Sequence, residues 1–320
     1  MNFYFDRLKA YIPKSLLFLA VVAAATFTFT SCSEEEHPWD ILNPPGGNTG
    51  GSTGGSTSNS ANTPITKRME TPRVLNNGST LLIDHTTTTN GKKIVTYELE
   101  YDKNKLHSRW VAFRFDGNTR SKTTGRSDEP FADDPSIDAN YRIGKNGFGW
   151  DYNRGHLCAS ADRLYNVEAN VQTFYMTNMS PQLASFNQGY WVTLEGLVQK
   201  LGRNKTFSDT LYVVKGGTIK DNQIIDYVKR SNGKRVAIPK YYYMALLKVK
   251  NGVYSSIAFW MEHKEYGYDK KHKAPLSKIA KNAISVNKLE KLTGIDFFPN
   301  LPDANEELVE STCDKSAWGM

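Results

Sequence analysis

The stretch DYNRGHLC, Asp151 to Cys158, sets an amide, a cation, a glycine and a histidine side by side. A neutral imidazole, with an ordinary pKa of about 6.5, is a natural general base near neutral pH. That is the chemistry His156 offers. Arg154 brings a planar fork of donors suited to a phosphate. Gly155 permits a close backbone approach between them, and Asn153 adds a short polar side chain. A strand end whose His and Arg are merely solvated accounts for these four residues equally well.

A second cluster, NMSPQLASFNQGYWVTLE from Asn178 to Glu195, supplies what the first lacks. Asn187 stands directly before an amphipathic helical pattern and Glu195 two turns into it. Asn187 fits the role of N-cap. Yet Asn178, Gln188 and Glu195 are also polar in a strongly apolar and aromatic setting. Hard cations such as Mg²⁺ take oxygen ligands and keep several waters, so one amide oxygen and a water-ordering carboxylate suffice as the protein's share. A general base, arginine forks and a sparsely held cation are the parts needed to hydrolyse a phosphodiester. Other chemistries lack their motifs: no Cys/His set has zinc spacing, no phosphate loop ends in GK[ST], and no GxSxG elbow occurs. His85, His107, His263 and His272 sit among charged or turn-like residues and read as solvated, and His37 lies in an N-terminal tether.

With both clusters in view, the sequence resembles the DNA/RNA non-specific endonucleases, whose fold contains the ββα-metal (His-Me finger) motif. Their [DN]RGH signature is matched by Asn153 through His156, although many members carry Asp where Asn153 stands. N-x-[ST]-P-Q is matched by Asn178 to Gln182, and N-Q-x-x-W-x-x-L-E by Asn187 through Glu195. The resemblance continues in Trp110 to Phe113, in VVKGG, in Ile238-Pro239 and in LEKLTGIDFFPNLPD, covering roughly residues 70–304. It implies that His156 deprotonates the attacking water. Asn187 would be the direct protein ligand of a single Mg²⁺, with Mn²⁺ as substitute, and Glu195 would hold its water shell. Arg154 would stabilise charge on the phosphoryl oxygens. Arg126, ahead of Asp134-Pro135, is the candidate for a second such arginine, and Asn178 would orient the phosphate or the site. The implied activity is hydrolysis of DNA and RNA to 5′-phosphorylated products. A non-catalytic, nucleic-acid-binding surface protein is the alternative, and retention of a general base argues against it.

These residues need elements to position them. KKIVTYELEYD and RWVAFRFD alternate as strands, and QTFYMTN and TLYVVKGG read as two more. YYYMALLKVKNGVYSSIAFWME reads as a hairpin about Asn251-Gly252. Trp191, Leu194, Leu197, Val198 and Leu201 follow helical spacing, and VNKLEKLTG is a second helix with Gly294 as its C-cap. Strands outnumber helices without regular interleaving. This favours an α+β fold with a largely antiparallel central sheet and flanking helices over a doubly wound one. With 17 Tyr, 15 Phe and 6 Trp in 320 residues, there is ample apolar area for a core.

Ahead of that domain, Arg7, Lys9 and Lys14 precede an apolar run that ends at Ser31-Cys32. This is the layout of a secretory signal, residues 1–31, and the run is too short to span a bilayer. Cys32 resembles the lipidated cysteine of bacterial lipoproteins. The expectation is therefore export and lipid anchoring at the outer membrane or cell surface of a Gram-negative bacterium, with the periplasmic side as the alternative. Residues 32–65, rich in Gly, Ser and Thr, read as a flexible tether, and residues 66–320 as the endonuclease domain. In an oxidising compartment Cys158 and Cys313 form either a disulfide or two free thiols. The net charge of +7 becomes +5 without residues 1–32, a weak pointer to a polyanionic partner. No protein partner can be read from the sequence.

Overall fold

The computed structural model describes residues 59–129, 131–229 and 233–320. In chain order, β1 (Thr80–Thr89), β2 (Lys92–Asp102) and β3 (His107–Phe115) form an antiparallel meander. β4 (Asn153–His156), α1 (Val167–Gln172) and β5 (Met179–Gln182) follow. A π-helical turn, Phe186–Trp191, then runs directly into α2 (Val192–Arg203). The chain continues through β6 (Thr210–Gly217), β7 (Ile224–Lys229), β8 (Arg235–Pro239), β9 (Tyr241–Lys250) and β10 (Val253–Glu262). It closes with α3 (Leu276–Ile279), β11 (Ala283–Ile284), α4 (Val286–Thr293) and α5 (Asp303–Ser311).

Seven strands form one antiparallel sheet in the order β1-β2-β3-β6-β9-β10-β11, while β4-β5 and β7-β8 are separate two-stranded ribbons. The β9–β10 hairpin turns at Asn251 (φ 50°) and Gly252 (φ 78°), the left-handed pair that an Asn-Gly turn supplies. Both faces of the large sheet are covered. Along β9, Tyr242, Met244 and Leu246 face a cluster containing Leu194, Leu197, Val198 and Leu201 of α2. The alternate residues Tyr243, Ala245 and Leu247 face Val286 and Leu289 of α4 and Val309 of α5. Each such buried aliphatic or aromatic side chain contributes roughly 1.5–3 kcal/mol. Because neither face meets water, the acidic residues of β2 are buried ion-pair partners. Glu98 pairs with Arg68 at 2.6 Å, and Glu100 with Arg109. Deleting one member of such a pair would strand a buried charge.

The fold class is the expected one, and β4, β5 and α2 constitute its ββα unit. Several local expectations are corrected. QTFYMTN is no strand: Gln172 ends α1, Met176–Asn178 is a helical turn, and the strand starts at Met179. Asn170, with its side chain bound to the Ser160 carbonyl, holds α1 there. Asn59 to Ile65, read as the end of the tether, belong to the domain. Asn59 is buried, and the Ala61 N–H donates to the Lys93 carbonyl at 3.2 Å. Three histidines read as solvated are interior. His85 meets Asp134 at 2.9 Å, His107 meets Ser180 Oγ at 2.6 Å, and His263 is buried beneath β5; His272 is exposed. Cys158 is a free thiol sealed in the core, so the Cys158–Cys313 bridge is not formed. Burial pushes that thiol up to about 12. The signal segment, Cys32 and the tether up to residue 58 lie outside the described residues.

Candidate active site

β4 and β5 pair with Asn153 opposite Gln182, Arg154 opposite Pro181, Gly155 opposite Ser180 and His156 opposite Met179. The ribbon is fastened to the large sheet at several points. The Tyr242 hydroxyl donates to the Pro181 carbonyl at 2.8 Å, and the Ser108 hydroxyl donates to the Thr177 carbonyl at 2.7 Å. His107 Nδ1–H donates to the Ser108 carbonyl at 2.7 Å, which leaves Nε2 as acceptor for the Ser180 hydroxyl. Gly155 is required by packing: a Cβ there would fall 2.6 Å from Cγ of Gln182 and closer still to its amide.

Asn178 closes the end of β4. Its Oδ1 accepts from the Cys158 N–H at 2.8 Å, and its Nδ2 donates to the carbonyls of Cys158 at 2.8 Å and Thr173 at 2.7 Å. With the side chain fully buried and every amide group engaged by backbone, Asn178 braces the end of β4 and keeps no group free for a phosphate.

His156 sits between two aromatic rings, Phe131 at 5.7 Å and Phe174 at 5.2 Å between centroids. Each ring carries an arginine. The Arg154 guanidinium lies 3.9 Å from the Phe131 centroid and that of Arg126 lies 4.6 Å from the Phe174 centroid. The loop that bears Phe131 is laced to Phe174 and Met176 through the backbone of Ala132. Nε2 of His156 is buried and has no hydrogen-bond partner among the described residues. Desolvation, followed by the Arg126 charge and those of Lys215 and Arg154, pushes the imidazole down to about 3, with Asp162 opposing. It is therefore neutral at physiological pH.

Glu195 on α2 belongs to the same electrostatic neighbourhood. It accepts a hydrogen bond from Trp191 Nε1 at 3.1 Å. Burial lifts its carboxyl to about 7 against the pull of Lys215, Trp191 and Arg126. Asn187 lies within the π-helical turn and is not an N-cap; its backbone N–H donates to the Leu183 carbonyl at 2.9 Å. Its carboxamide makes no hydrogen bond to a described residue. Among the described residues no three His, Cys, Asp or Glu side chains converge on a common point. The donors present fit a cation that keeps most of its waters, with a free amide oxygen in Asn187 and, in Glu195, a half-buried carboxyl that a positive charge would ionise.

Sequence reasoning missed five contributors. Lys215 and Asp162 form a fully buried ion pair at 2.8 Å whose charges act on both His156 and Glu195; a lysine inside the apolar strand TLYVVKGG was the available signal. Phe131 and Phe174 carried none. His263 donates from Nδ1 to the Pro239 carbonyl at 2.9 Å, so its Nε2 accepts the Leu183 N–H at 2.8 Å. Leu183 in turn anchors Asn187. The Asn153 side chain has no hydrogen-bond partner among the described residues, and nothing in the structure explains it.

The profile of the DNA/RNA non-specific endonucleases matches residues 77–304, which span β4, β5, α2 and every candidate catalytic and metal-binding residue. The chain belongs to this family. Among its relatives, nuclease EXOG of Xenopus laevis is 29% identical over 229 residues, covering 67% of this chain and 60% of that protein. Nuclease C1 of Cunninghamella echinulata is 28% identical over 223 residues, covering 64% of this chain and 81% of that protein. The chain spans about three fifths of the length of the EXOG relatives it matches. A solved structure of the EndoG/EndoGI complex superposes with a TM-score of 0.53 at 22% identity, over 70% of this chain and 89% of the other, which shows a shared fold.

Proposed function

We propose that this family member is a metal-dependent endonuclease that hydrolyses phosphodiester bonds of DNA and RNA without strong sequence preference. The observation that carries the reading is the convergence on His156 of two arginine-bearing rings, with Lys215, Asp162 and Arg126 acting on both His156 and Glu195.

His156 takes the proton of an attacking water; its imidazole is neutral, and the negative charge of a bound phosphodiester raises its basicity from the depressed value of the free enzyme. Arg154 and Arg126 hold the non-bridging oxygens, and their rings prevent the guanidinium planes from swinging away. Asn187 would hold a Mg²⁺ or Mn²⁺ ion directly and Glu195 its water shell. When bound, such an ion offsets charge on the phosphate and on the departing 3′-oxygen. Departure of the 3′-oxygen leaves the phosphate on the 5′ side. Asn178 and His263 act through backbone, fixing β4 and the turn that carries Asn187.

Digestion of plasmid DNA and of RNA in Mg²⁺, with EDTA in parallel, tests this. Cleavage of both that stops on chelation is expected; no cleavage of either sinks the proposal. Export and lipid anchoring through Cys32 rest on the sequence of residues 1–32. Loss of Cys32→Ala from the membrane fraction is the expected result, and unchanged fractionation counts against the anchor.

A further inference from the structure

Between β10 and β11 the chain runs KEYGYDKKHKAPLSKIAK, Lys264 to Lys281, with six lysines against Glu265 and Asp269. Counted with its histidine neutral, this segment carries a net +4 of the chain's +7. Lys264 pairs with Glu262 at 2.6 Å and His272 faces Asp269 at 3.5 Å. Lys270, Lys271, Lys273, Lys278 and Lys281 are exposed and form no ion pair with a described residue. Some cations elsewhere are neutralised inside the fold, as Arg68, Arg109, Arg114 and Lys215 are.

The segment is also fastened by hydrogen bonds and a ring stack, and its anchor is the turn that carries Asn187. The Ala274 N–H donates to the Gly189 carbonyl at 2.8 Å, and the Thr193 hydroxyl donates to the Ala274 carbonyl at 2.8 Å. A Cβ on Gly189 would fall 2.5 Å from the Tyr268 carbonyl carbon, so only glycine lets the loop lie this close. Tyr266 stacks on Tyr190 at 3.9 Å and 8°. At the tip, Asp269 accepts the N–H groups of Lys271 and His272, both at 2.7 Å, which preforms the turn that displays the lysines. Preformed, unneutralised cations at a fixed distance from a catalytic turn match the regular charge of a nucleic-acid backbone, and ordering them costs little entropy on binding.

Resting on the nuclease reading, we propose that Lys270, Lys271 and Lys273 form a phosphate-contacting rail that holds the substrate backbone beside the Asn187 turn. The rail contributes affinity and salt dependence without base readout. The test uses the full chain with Lys270, Lys271 and Lys273 all changed to Gln, and a second variant with all three changed to Arg. Binding of a fluorescent duplex oligonucleotide is followed by anisotropy in EDTA across a salt series. The Gln variant should flatten the slope of log Kobs against log[salt] by about 2 to 3, at ~0.9 per lost phosphate contact. The Arg variant should keep the wild-type slope. In Mg²⁺, the Gln variant should lose plasmid cleavage relative to cleavage of bis(4-nitrophenyl) phosphate, seen as a raised KM for the plasmid. An unchanged slope and an unchanged KM overturn the rail. Loss of binding to anionic phosphatidylglycerol vesicles with duplex binding intact overturns it in favour of a membrane contact. If wild type binds the duplex with the expected slope change on substitution yet cuts nothing, the rail stands and the nuclease reading falls.

Discussion

The side-chain amide of Asn178 and the backbone of Cys158 exchange two hydrogen bonds, both 2.8 Å long. This pair fixes the chain two residues past His156. Asn178→Ala leaves the Cys158 N–H and two carbonyls buried without partners, at about 1–3 kcal/mol for each group not rescued by water. Chemical denaturation should show a loss of roughly 2–5 kcal/mol, and kcat should fall further than KM rises. A stability within about 0.5 kcal/mol of wild type, the range of an ordinary surface change, would refute the clamp.

Gly155 and Gln182 share one volume across the β4–β5 ribbon. Gly155→Ala should therefore destabilise by about 1–3 kcal/mol through overpacking. Adding Gln182→Ala should recover much of that loss, since the two sites are in contact and cannot be additive. Additive unfolding energies in the double-mutant cycle would show that the crowding lies elsewhere.

His156 predicts a pH dependence of stability. Its native pKa is depressed to about 3 by burial and nearby cations, while the unfolded imidazole binds a proton below about 6.5. Between those values the unfolded state holds more protons, so stability is lost as pH falls. His156→Gln removes that loss. The Tm of the variant minus that of wild type should grow more positive from pH 7 to pH 5, and a difference that stays constant contradicts a buried neutral imidazole.

His263 acts on the turn that carries Asn187 through Leu183. His263→Phe retains the aromatic contacts with Phe186 and Tyr242 but removes both ring hydrogen bonds. The Mg²⁺ concentration giving half-maximal rate should rise by roughly tenfold, as for outer-shell residues that orient a ligand. An unchanged Mg²⁺ requirement would leave His263 a packing residue only.

How much of this was visible in the sequence differs by residue. The α2 face was legible because Leu194, Leu197, Val198 and Leu201 obey helical spacing against one apolar surface. The Asn251-Gly252 turn was legible because few residues adopt two successive positive φ values. Asn187 was placed correctly along the chain but not in its conformation, since a π-helical turn has no local signature in FNQGYW. The buried histidines were misread because a polar letter says nothing about its partner. His85 depends on Asp134, 49 residues away, and His107 on Ser180, 73 away. The rings bracketing His156 come from residues 131 and 174, which only the folded chain brings together.

The central claim is that His156 is the base, and it is tested most directly by single-turnover cleavage of a duplex by wild type and His156→Ala at saturating Mg²⁺. The account predicts that His156→Ala still binds the duplex but cleaves it about 10²–10⁴-fold more slowly. Cleavage by His156→Ala within a few-fold of wild type would contradict it.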